Sequence, residues 1–253
     1  MSGSTATTTR ARRFSRGAGL LALLALTALV AAGPGYRLNF IELGLAFQLT
    51  ITAAGLALLA LIVGLTAIIL GRRTRPRAWG AGAVAGVVFG LLIAVQLGSW
   101  YKKARSVPAI HDITTDTKDP PEFDVIAPLR ASAPNPAAYD GAAVAEQQLS
   151  AYPDIKSLTL DLDVGAATIA AANAAENLGW EIVAIDPVSG HLEAIDTTFW
   201  YGYKDDVVVR IRKTGDRSVL DVRSKSRVGV SDLGTNAARI RKFTRGVSAQ
   251  LDP

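Results

Sequence analysis

The chain has 253 residues, of which 49% are hydrophobic, and it contains no cysteine, which excludes disulfides, thiolate chemistry and cysteine-based metal sites. Its formal net charge of +5 is unevenly placed: residues 1–100 hold nine arginines and one acidic residue, whereas residues 101–253 hold 18 basic and 21 acidic residues. The positive charge therefore indicates membrane topology, and it excludes a nucleic-acid-binding domain, which would carry such charge in its folded part.

Three apolar segments predict transmembrane helices at about 17–33, 43–70 and 79–100, so that residues 1–105 form a membrane anchor. The first segment follows a basic, Ser/Thr-rich tail, as in a signal peptide, but it is long enough to span a bilayer and no clean A-x-A cleavage site follows it. We therefore expect a retained helix. Gly33-Pro34-Gly35 predicts a turn before the second helix.

The third segment, WGAGAVAGVVFGLLIAVQLGSW, is uncharged and bounded by Trp79 and Trp100, and tryptophan favours membrane interfaces. As a helix it is about 30 Å long, which matches the hydrocarbon core of a bilayer. Small residues recur at every fourth position and predict a face for close helix packing. They are Gly82, Gly86, Gly90, Ala94 and Gly98.

Basic residues near the helix ends predict the orientation of the anchor. Four arginines precede the first helix and four lie between the second and third. The other side has only Arg37 and the three basic residues Lys102, Lys103 and Arg105. The positive-inside rule therefore places the N-terminus in the cytoplasm and the C-terminal domain in the periplasm or outside the cell.

Six prolines between residues 106 and 136 predict an extended, Pro-rich linker over 106–150. Within it, His111, Asp112 and Asp116 form a possible functional motif. An imidazole and two carboxylates could ligate a divalent metal, but a polar loop that bonds its own turns is the favoured interpretation. We therefore predict no metal site.

Residues 151–253 show the order strand, helix, four strands and helix, which predicts an α+β domain. Alternating apolar residues indicate an antiparallel sheet of about five strands. The two helices, capped by Asp163 and Asp232, are expected to pack on one face of that sheet.

Two long stretches of this domain carry a familiar pattern: GWEIVAIDPVSGHLEAIDTTFWYGYKDDVVVRIR at 179–212 and SRVGVSDLGTNAARIRKF at 226–243. With YPDI at 152–155 and HDITTDT at 111–117, they resemble the bacterial family known as domain of unknown function 1499, in its membrane-anchored members. The resemblance covers about residues 108–247. It implies membership of that family and no particular activity.

The strands carry charged residues on the face opposite the apolar core. Asp205 and Asp206 follow an aromatic cluster and could do acid–base work, although strand alternation lets only one of them face a given site. The cluster is expected to close the end of the core, and it contains Phe199, Trp200, Tyr201 and Tyr203. A basic stripe could bind an acidic partner or anionic lipid headgroups, but a solvated sheet face with Asp221 and Glu193 as counter-charges is favoured. The stripe contains Arg210, Arg212, Arg223, Lys225 and Arg227.

The final helix carries a second candidate surface. Asp232, Asn236 and Arg239 are spaced by four and three residues and so form one stripe, with Arg227 on the strand before it. We expect Arg227 or Arg239 to pair with Asp232 and tie strand to helix. A ligand site is the alternative.

Together these features predict an integral protein of the cytoplasmic membrane with three spans. Its exported domain is expected to act as a binding or scaffolding module in the cell envelope, and the alternative is an enzyme acting on an envelope lipid or glycan. Expected partners are the lipid bilayer and an envelope protein or anionic lipid headgroups, with no nucleic acid. We expect no cofactor and assign no catalytic residue.

Overall fold

The structure is a computed structural model that describes residues 2–74 and 78–250. The chain forms two compact units: a helical unit of Met1–Lys102 with Phe199–Gly202, and a second unit of Lys103–Thr198 with Tyr203–Pro253. Three helices are long and apolar enough to cross a membrane. Arg75 and Arg77 of the expected basic loop lie outside the described residues.

The helical unit contains α1 (Ser2–Arg37), α2 (Leu43–Gly71) and α3 (Ala81–Ser106). The turn expected at Gly33-Pro34-Gly35 is wrong, because α1 continues through Pro34. Proline removes only one backbone donor, and membrane helices tolerate that loss. The turn instead lies at residues 38–41, where Asn39 has a positive φ of 59°.

Small residues allow close packing in the helical unit. The buried residues of α2 are all alanine or glycine at helical spacing: Ala46, Ala53, Ala57, Ala60, Gly64, Ala67 and Gly71. On α3, a Cβ atom added to Gly86 would lie 2.8 Å from the Ala60 carbonyl oxygen and 2.9 Å from Ala18 Cβ. Gly82 and Gly90 are as crowded, and Ala94 is half-buried. A Cβ at Gly98, however, would meet no described atom within 4 Å.

Ser15 of α1 supports the first turn of α3. Its Oγ accepts hydrogen bonds from Gly80 N at 3.2 Å and Ala83 N at 3.1 Å. Backbone N–H groups at a helix start lack the usual carbonyl partners four residues earlier. Ser15 therefore acts as a cap supplied by a different helix.

The second unit contains six strands and four helices in the described residues. Its sheet has the order β1-β6-β5-β4-β3 with antiparallel neighbours, and β2 also pairs with β6. Both β1 and β2 lie along the same edge of β6. The elements are β1 (Asp112–Thr114), α4 (Ile126–Leu129), α5 (Ala142–Ala151), β2 (Leu158–Leu160), α6 (Val164–Asn177), β3 (Glu181–Asp186), β4 (His191–Thr197), β5 (Lys204–Thr214), β6 (Arg217–Ser226) and α7 (Thr235–Ser248).

One face of the sheet packs against α6 and α7, as predicted. Strand alternation places Val207 and Val209 of β5 beside Val222 of β6 in the main core. The α6 side of this core is rich in buried alanine. Trp180 stacks on Phe243 of α7, with ring centroids 5.2 Å apart. The α+β fold with two helices on one face is therefore confirmed.

The opposite face of the sheet is covered by residues 115–140, which we call the covering segment and which lie in the segment expected to be a linker. Phe123 and Ile126 pack there against Ile195 and Val208 in a second, smaller core. Proline disfavours regular strand pairing but leaves an extended chain free to pack. The second compact unit begins at Lys103. Residues 106–150 therefore belong to the folded domain and do not form a linker before it.

Candidate functional site

A layer of charged side chains lies between the sheet and residues 115–140. It forms because the strand residues that face away from α6 and α7 are mostly charged. Arg130, Arg223 and Lys225 are among the largest fully buried side chains in the described residues. The ionic layer, as we call it, contains Asp112, Asp116, Asp119, Arg130, Asp140, His191, Glu193, Asp206, Arg210, Arg212, Asp221, Arg223, Lys225 and Arg227.

Asp112 lies at the centre of the ionic layer. Arg223 donates from Nε to Asp112 Oδ1 at 2.8 Å and from Nη2 to Oδ2 at 2.9 Å. Lys225 Nζ lies 3.1 Å from Asp112 Oδ2 and 2.5 Å from Asp140 Oδ1. Two cations and two carboxylates thus neutralise one another where water is largely excluded, as buried charges require.

Two aromatic rings lie close to the guanidinium group of Arg223. Its Cζ atom lies 5.0 Å from the Phe123 ring centroid and 5.3 Å from that of Tyr139, within range for cation–π attraction. Burial, followed by the charge of Asp112, raises the pKa of Tyr139 to about 12. Tyr139 therefore remains a neutral phenol at physiological pH.

Asp205 and Asp206 face opposite sides of the sheet, as strand alternation predicts. Asp206 is fully buried and accepts hydrogen bonds from Arg227 Nε at 2.9 Å and Nη2 at 2.7 Å. Arg130 Nη1 lies 3.1 Å from Asp206 Oδ2. Asp205 turns to the helix face, where Arg239 Nη2 lies at 2.5 Å. The two carboxylates therefore do not form a shared acid–base site.

The expected basic stripe is present, but it is matched by acidic residues and mostly covered. Arg210 and Arg212 donate to Asp221 Oδ2 at 3.2 and 2.8 Å. Both arginines also reach Asp116, at 3.4 and 3.3 Å. The solvated sheet face favoured from the sequence is therefore wrong, because residues 115–140 pack over it and supply part of the counter-charge.

Glu193 connects the sheet to the start of α4. Its carboxylate accepts hydrogen bonds from Asp124 N at 2.5 Å and Ile126 N at 2.6 Å, and it lies 2.9 Å from His191 Nε2. Burial opposes ionisation of Glu193, but the bonds from His191 and from these N–H groups lower its pKa below the usual range. The same bond to Glu193 raises the pKa of His191.

The Asp232 carboxylate caps the turn that precedes α7. It accepts hydrogen bonds from Gly234 N and Asn236 N, both at 2.7 Å. The helix begins at Thr235, and Leu233 precedes it in a left-handed conformation with φ of 52°. The expected ion pair of Asp232 is wrong, because Arg227 and Arg239 bind other carboxylates.

Arg239 and Asn236 form a buried polar junction between α7 and the sheet. Arg239 donates from Nε to Asp196 Oδ2 at 2.8 Å and from Nη1 to Ser224 Oγ at 3.1 Å. It also donates to Asn236 Oδ1. Asn236 Nδ2 in turn donates to the His111 carbonyl oxygen at 2.9 Å. The stripe predicted on α7 thus faces inward instead of forming an open surface.

The three residues of the predicted linker motif do not converge on one point. His111 Nε2 lies 3.2 Å from Asp140 Oδ2. Asp112 instead binds Arg223, and Asp116 binds Arg210. Among residues 2–74 and 78–250, no group of three or more histidine, cysteine, aspartate or glutamate residues is placed to hold a metal ion.

Arg130, Asp140 and Asp196 are important members of these networks that sequence reasoning missed. Arg130 and Asp140 lie in the Pro-rich segment, and Asp196 lies at the end of a strand. A signal was present in the second half of β6 and the residue after it, where charges occupy every second position from Asp221 to Arg227. So many charges on one strand face indicate a charged partner layer above it.

The longest buried side chains of the ionic layer, Arg130, Arg223 and Lys225, have almost no exposure to solvent. A pocket lined by Tyr203, Asp206 and Arg223 together would have favoured an enzyme, but Asp206 and Arg223 are both buried beneath residues 115–140. A small cleft of about 170 Å³ does occur on the helix side, lined by Leu178, Trp180, Asp196, Thr235, Ala238, Arg239 and Lys242. It is separate from the ionic layer.

Comparisons with known proteins bear on the domain alone. A search of curated proteins finds no match to the chain. A comparison with protein families matches residues 112–247, from the first residue of β1 into the last turn of α7, and so includes the whole ionic layer. Because this match covers more than half of the chain, the chain belongs to the family described as Protein of unknown function (DUF1499).

Proposed function

We propose that the chain is a cytoplasmic-membrane protein whose exported α+β domain acts as a binding or scaffolding module of the cell envelope. The ionic layer carries this proposal. A carboxylate that acts as a general acid or base must be within reach of a substrate. Asp112 and Asp206 are instead enclosed by cations within the domain. These charges therefore favour a rigid platform over a reaction centre.

The proposed location follows from the three candidate spans and from the basic residues beside them. Eight arginines flank the side that holds the N-terminus, against four basic residues on the other side. The positive-inside rule assigns the richer side to the cytoplasm. An odd number of spans then takes the domain across the membrane, into the periplasm where a second membrane exists.

An enzyme acting on an envelope lipid or glycan is the second candidate. The cleft beside Trp180 favours an enzyme, because an aromatic ring near charged groups can bind a substrate that has both polar and apolar parts. Asp196 and Arg239 in that cleft pair with each other, at 2.7 Å between Oδ2 and Nη2, and so are less available for catalysis. We therefore rank the binding role first.

Photo-crosslinking in native membranes tests the binding role. A photoreactive phenylalanine analogue is placed in the full chain at Val188, which is 93% exposed, or at Ile169 on the outer side of α6. We expect at least one position to give a discrete protein adduct on irradiation, and unirradiated membranes provide the control. The absence of adducts at both positions, combined with turnover of an envelope lipid or glycan by the purified chain, would favour the enzyme.

A further inference from the structure

The connection between β4 and β5 carries aromatic side chains that neither hydrophobic core takes up. We call residues 198–203, TFWYGY, the aromatic loop. From the sequence these rings were expected to close the end of the core, yet Phe199 is 83% exposed and Trp200 is 38% exposed. Exposed aromatic surface at a loop tip is unfavourable in water and indicates contact with a partner.

Backbone geometry fixes the aromatic loop in this outward form. Thr198 N donates to the Tyr203 carbonyl oxygen at 2.9 Å, and Tyr203 N donates to Thr198 Oγ1 at 2.8 Å, which closes the base of the loop. Gly202 has a φ of +68°, a conformation that glycine adopts without steric cost. Phe199 and Trp200 therefore project from a defined loop.

The aromatic loop lies at the end of the sheet where the chain enters the domain. Asp112, the first residue of β1, pairs with Lys225 of β6, and Lys225 pairs in turn with Asp206 near the start of β5. Only residues 107–111 separate α3 from β1. An extended stretch of that length spans at most about 20 Å. The covalent connection therefore limits the distance between Asp112 and the last residue of α3.

The composition of the aromatic loop matches that of a membrane interface. The last part of α3 contains Trp100 and Tyr101 followed by Lys102 and Lys103, and aromatic and basic residues favour the headgroup level. The aromatic loop repeats this combination, because exposed Lys204 follows its rings.

We propose that the aromatic loop inserts into the headgroup region of the membrane leaflet in which α3 ends, so that its partner is lipid. The interface removes apolar ring surface from water while the Trp200 N–H group remains among polar headgroups. This contact goes beyond the proposed binding role, which concerns the envelope partner of the domain. It leaves the β3–β4 connection, at the other end of β4, available to that partner.

Single-cysteine variants test this proposal, since the chain has no cysteine of its own. Phe199→Cys carries an environment-sensitive NBD label in the aromatic loop. Val188→Cys is the matched control, because Val188 is also highly exposed but lies in the connection before β4. The labelled full chain is reconstituted into phosphatidylcholine–phosphatidylglycerol vesicles, with or without lipids that carry a doxyl quencher close to the headgroup.

We expect the label at position 199 to emit at shorter wavelength than the label at 188 and to lose intensity when the doxyl lipids are present. The label at 188 should show neither change. Indistinguishable behaviour of the two labels would overturn the proposal. A blue shift at 199 without quenching by the doxyl lipids would also overturn it, because the loop would then be buried against protein.

Discussion

Asp112 and Arg223 join parts of the domain that lie 111 residues apart in the chain. Their two hydrogen bonds, at 2.8 and 2.9 Å, fasten β1 to β6, and both side chains are almost completely buried. An unpaired buried charge is far more costly than a paired one, so each residue depends on the other. This relationship makes β1 an integral part of the sheet.

The first prediction concerns the carboxylate of Asp112. Asp112→Asn keeps the size of the side chain but removes the negative charge beside Arg223 and Lys225. We expect the free energy of unfolding of the domain, residues 103–253, to fall by about 3–5 kcal/mol in urea denaturation. Asp161→Asn is the control, because Asp161 pairs with Arg217 at the exposed surface, where ion pairs contribute little. Parent-like stability of Asp112→Asn would contradict the structural role of the pair.

A second prediction concerns the extent of the domain. A fragment of residues 137–253 keeps β2–β6 and the helices α5–α7, but it lacks β1 and most of the covering segment. Its Arg223 and Lys225 would lose Asp112, and the second core would lose Phe123 and Ile126. We expect residues 103–253 to unfold cooperatively in calorimetry, and the shorter fragment to show no such transition. Equal melting temperatures would show that the covering segment is dispensable.

The sequence predicted the features that depend on local patterns. The second span was expected at 43–70 and α2 covers Leu43–Gly71, because length and apolarity are properties of the segment alone. The helix after Asp163 was likewise predictable from its cap, which accepts a hydrogen bond from Ala166 N at 2.8 Å. The alternation of side chains along a strand also correctly predicted that Asp205 and Asp206 face opposite sides of the sheet.

The ionic layer could not be predicted because its pairs are distant in sequence. No local spacing relates Asp112 to Arg223, or Arg130 to Asp206. Proline-rich composition, which is typical of linkers, also disguised a segment that packs on the sheet. The predicted turn at Gly33-Pro34-Gly35 was also wrong. Glycine and proline break helices in water, but helices in an apolar environment tolerate them.

The third prediction concerns pH and the pair of His191 with Glu193. Because the bond to Glu193 raises the pKa of His191 above its usual 6.5, the protonated histidine stabilises the fold. That contribution is complete below pH 6.5 and is lost as the pH rises through the raised pKa. Glu193 acts oppositely: its contribution is present above its usual pKa of 4.5 and is lost as the pH falls through the lowered value.

We therefore expect the free energy of unfolding of residues 103–253 to decline more steeply above pH 6.5 in the parent than in His191→Gln. Denaturation at a series of pH values measures both slopes. Identical slopes would mean that His191 does not gain stabilisation from Glu193 in the folded domain.

The fourth prediction concerns glycine packing in the helical unit. Gly86→Ile adds a branched side chain where even a Cβ atom would lie 2.8 Å from the Ala60 carbonyl oxygen. Isoleucine inserts readily into membranes, so the expected defect is in helix packing and not in insertion. The melting temperature of the full chain in detergent should fall. Gly98→Ile is the matched control, since a Cβ there meets no described atom within 4 Å. Equal effects of the two substitutions would mean that Gly86 does not lie at a helix contact.

The most direct test of the proposed envelope role is to measure the orientation of the chain across the membrane. Ser189→Cys places a reporter on the exposed β3–β4 connection, and Thr9→Cys places one on the exposed start of α1 while keeping every arginine. Each variant is treated in intact spheroplasts with a thiol reagent that does not cross membranes. We expect Cys at position 189 to be labelled at once, and Cys at position 9 to be labelled only after the membrane is permeabilised. Labelling at position 9 together with protection at 189 would place the domain in the cytoplasm and contradict an envelope function.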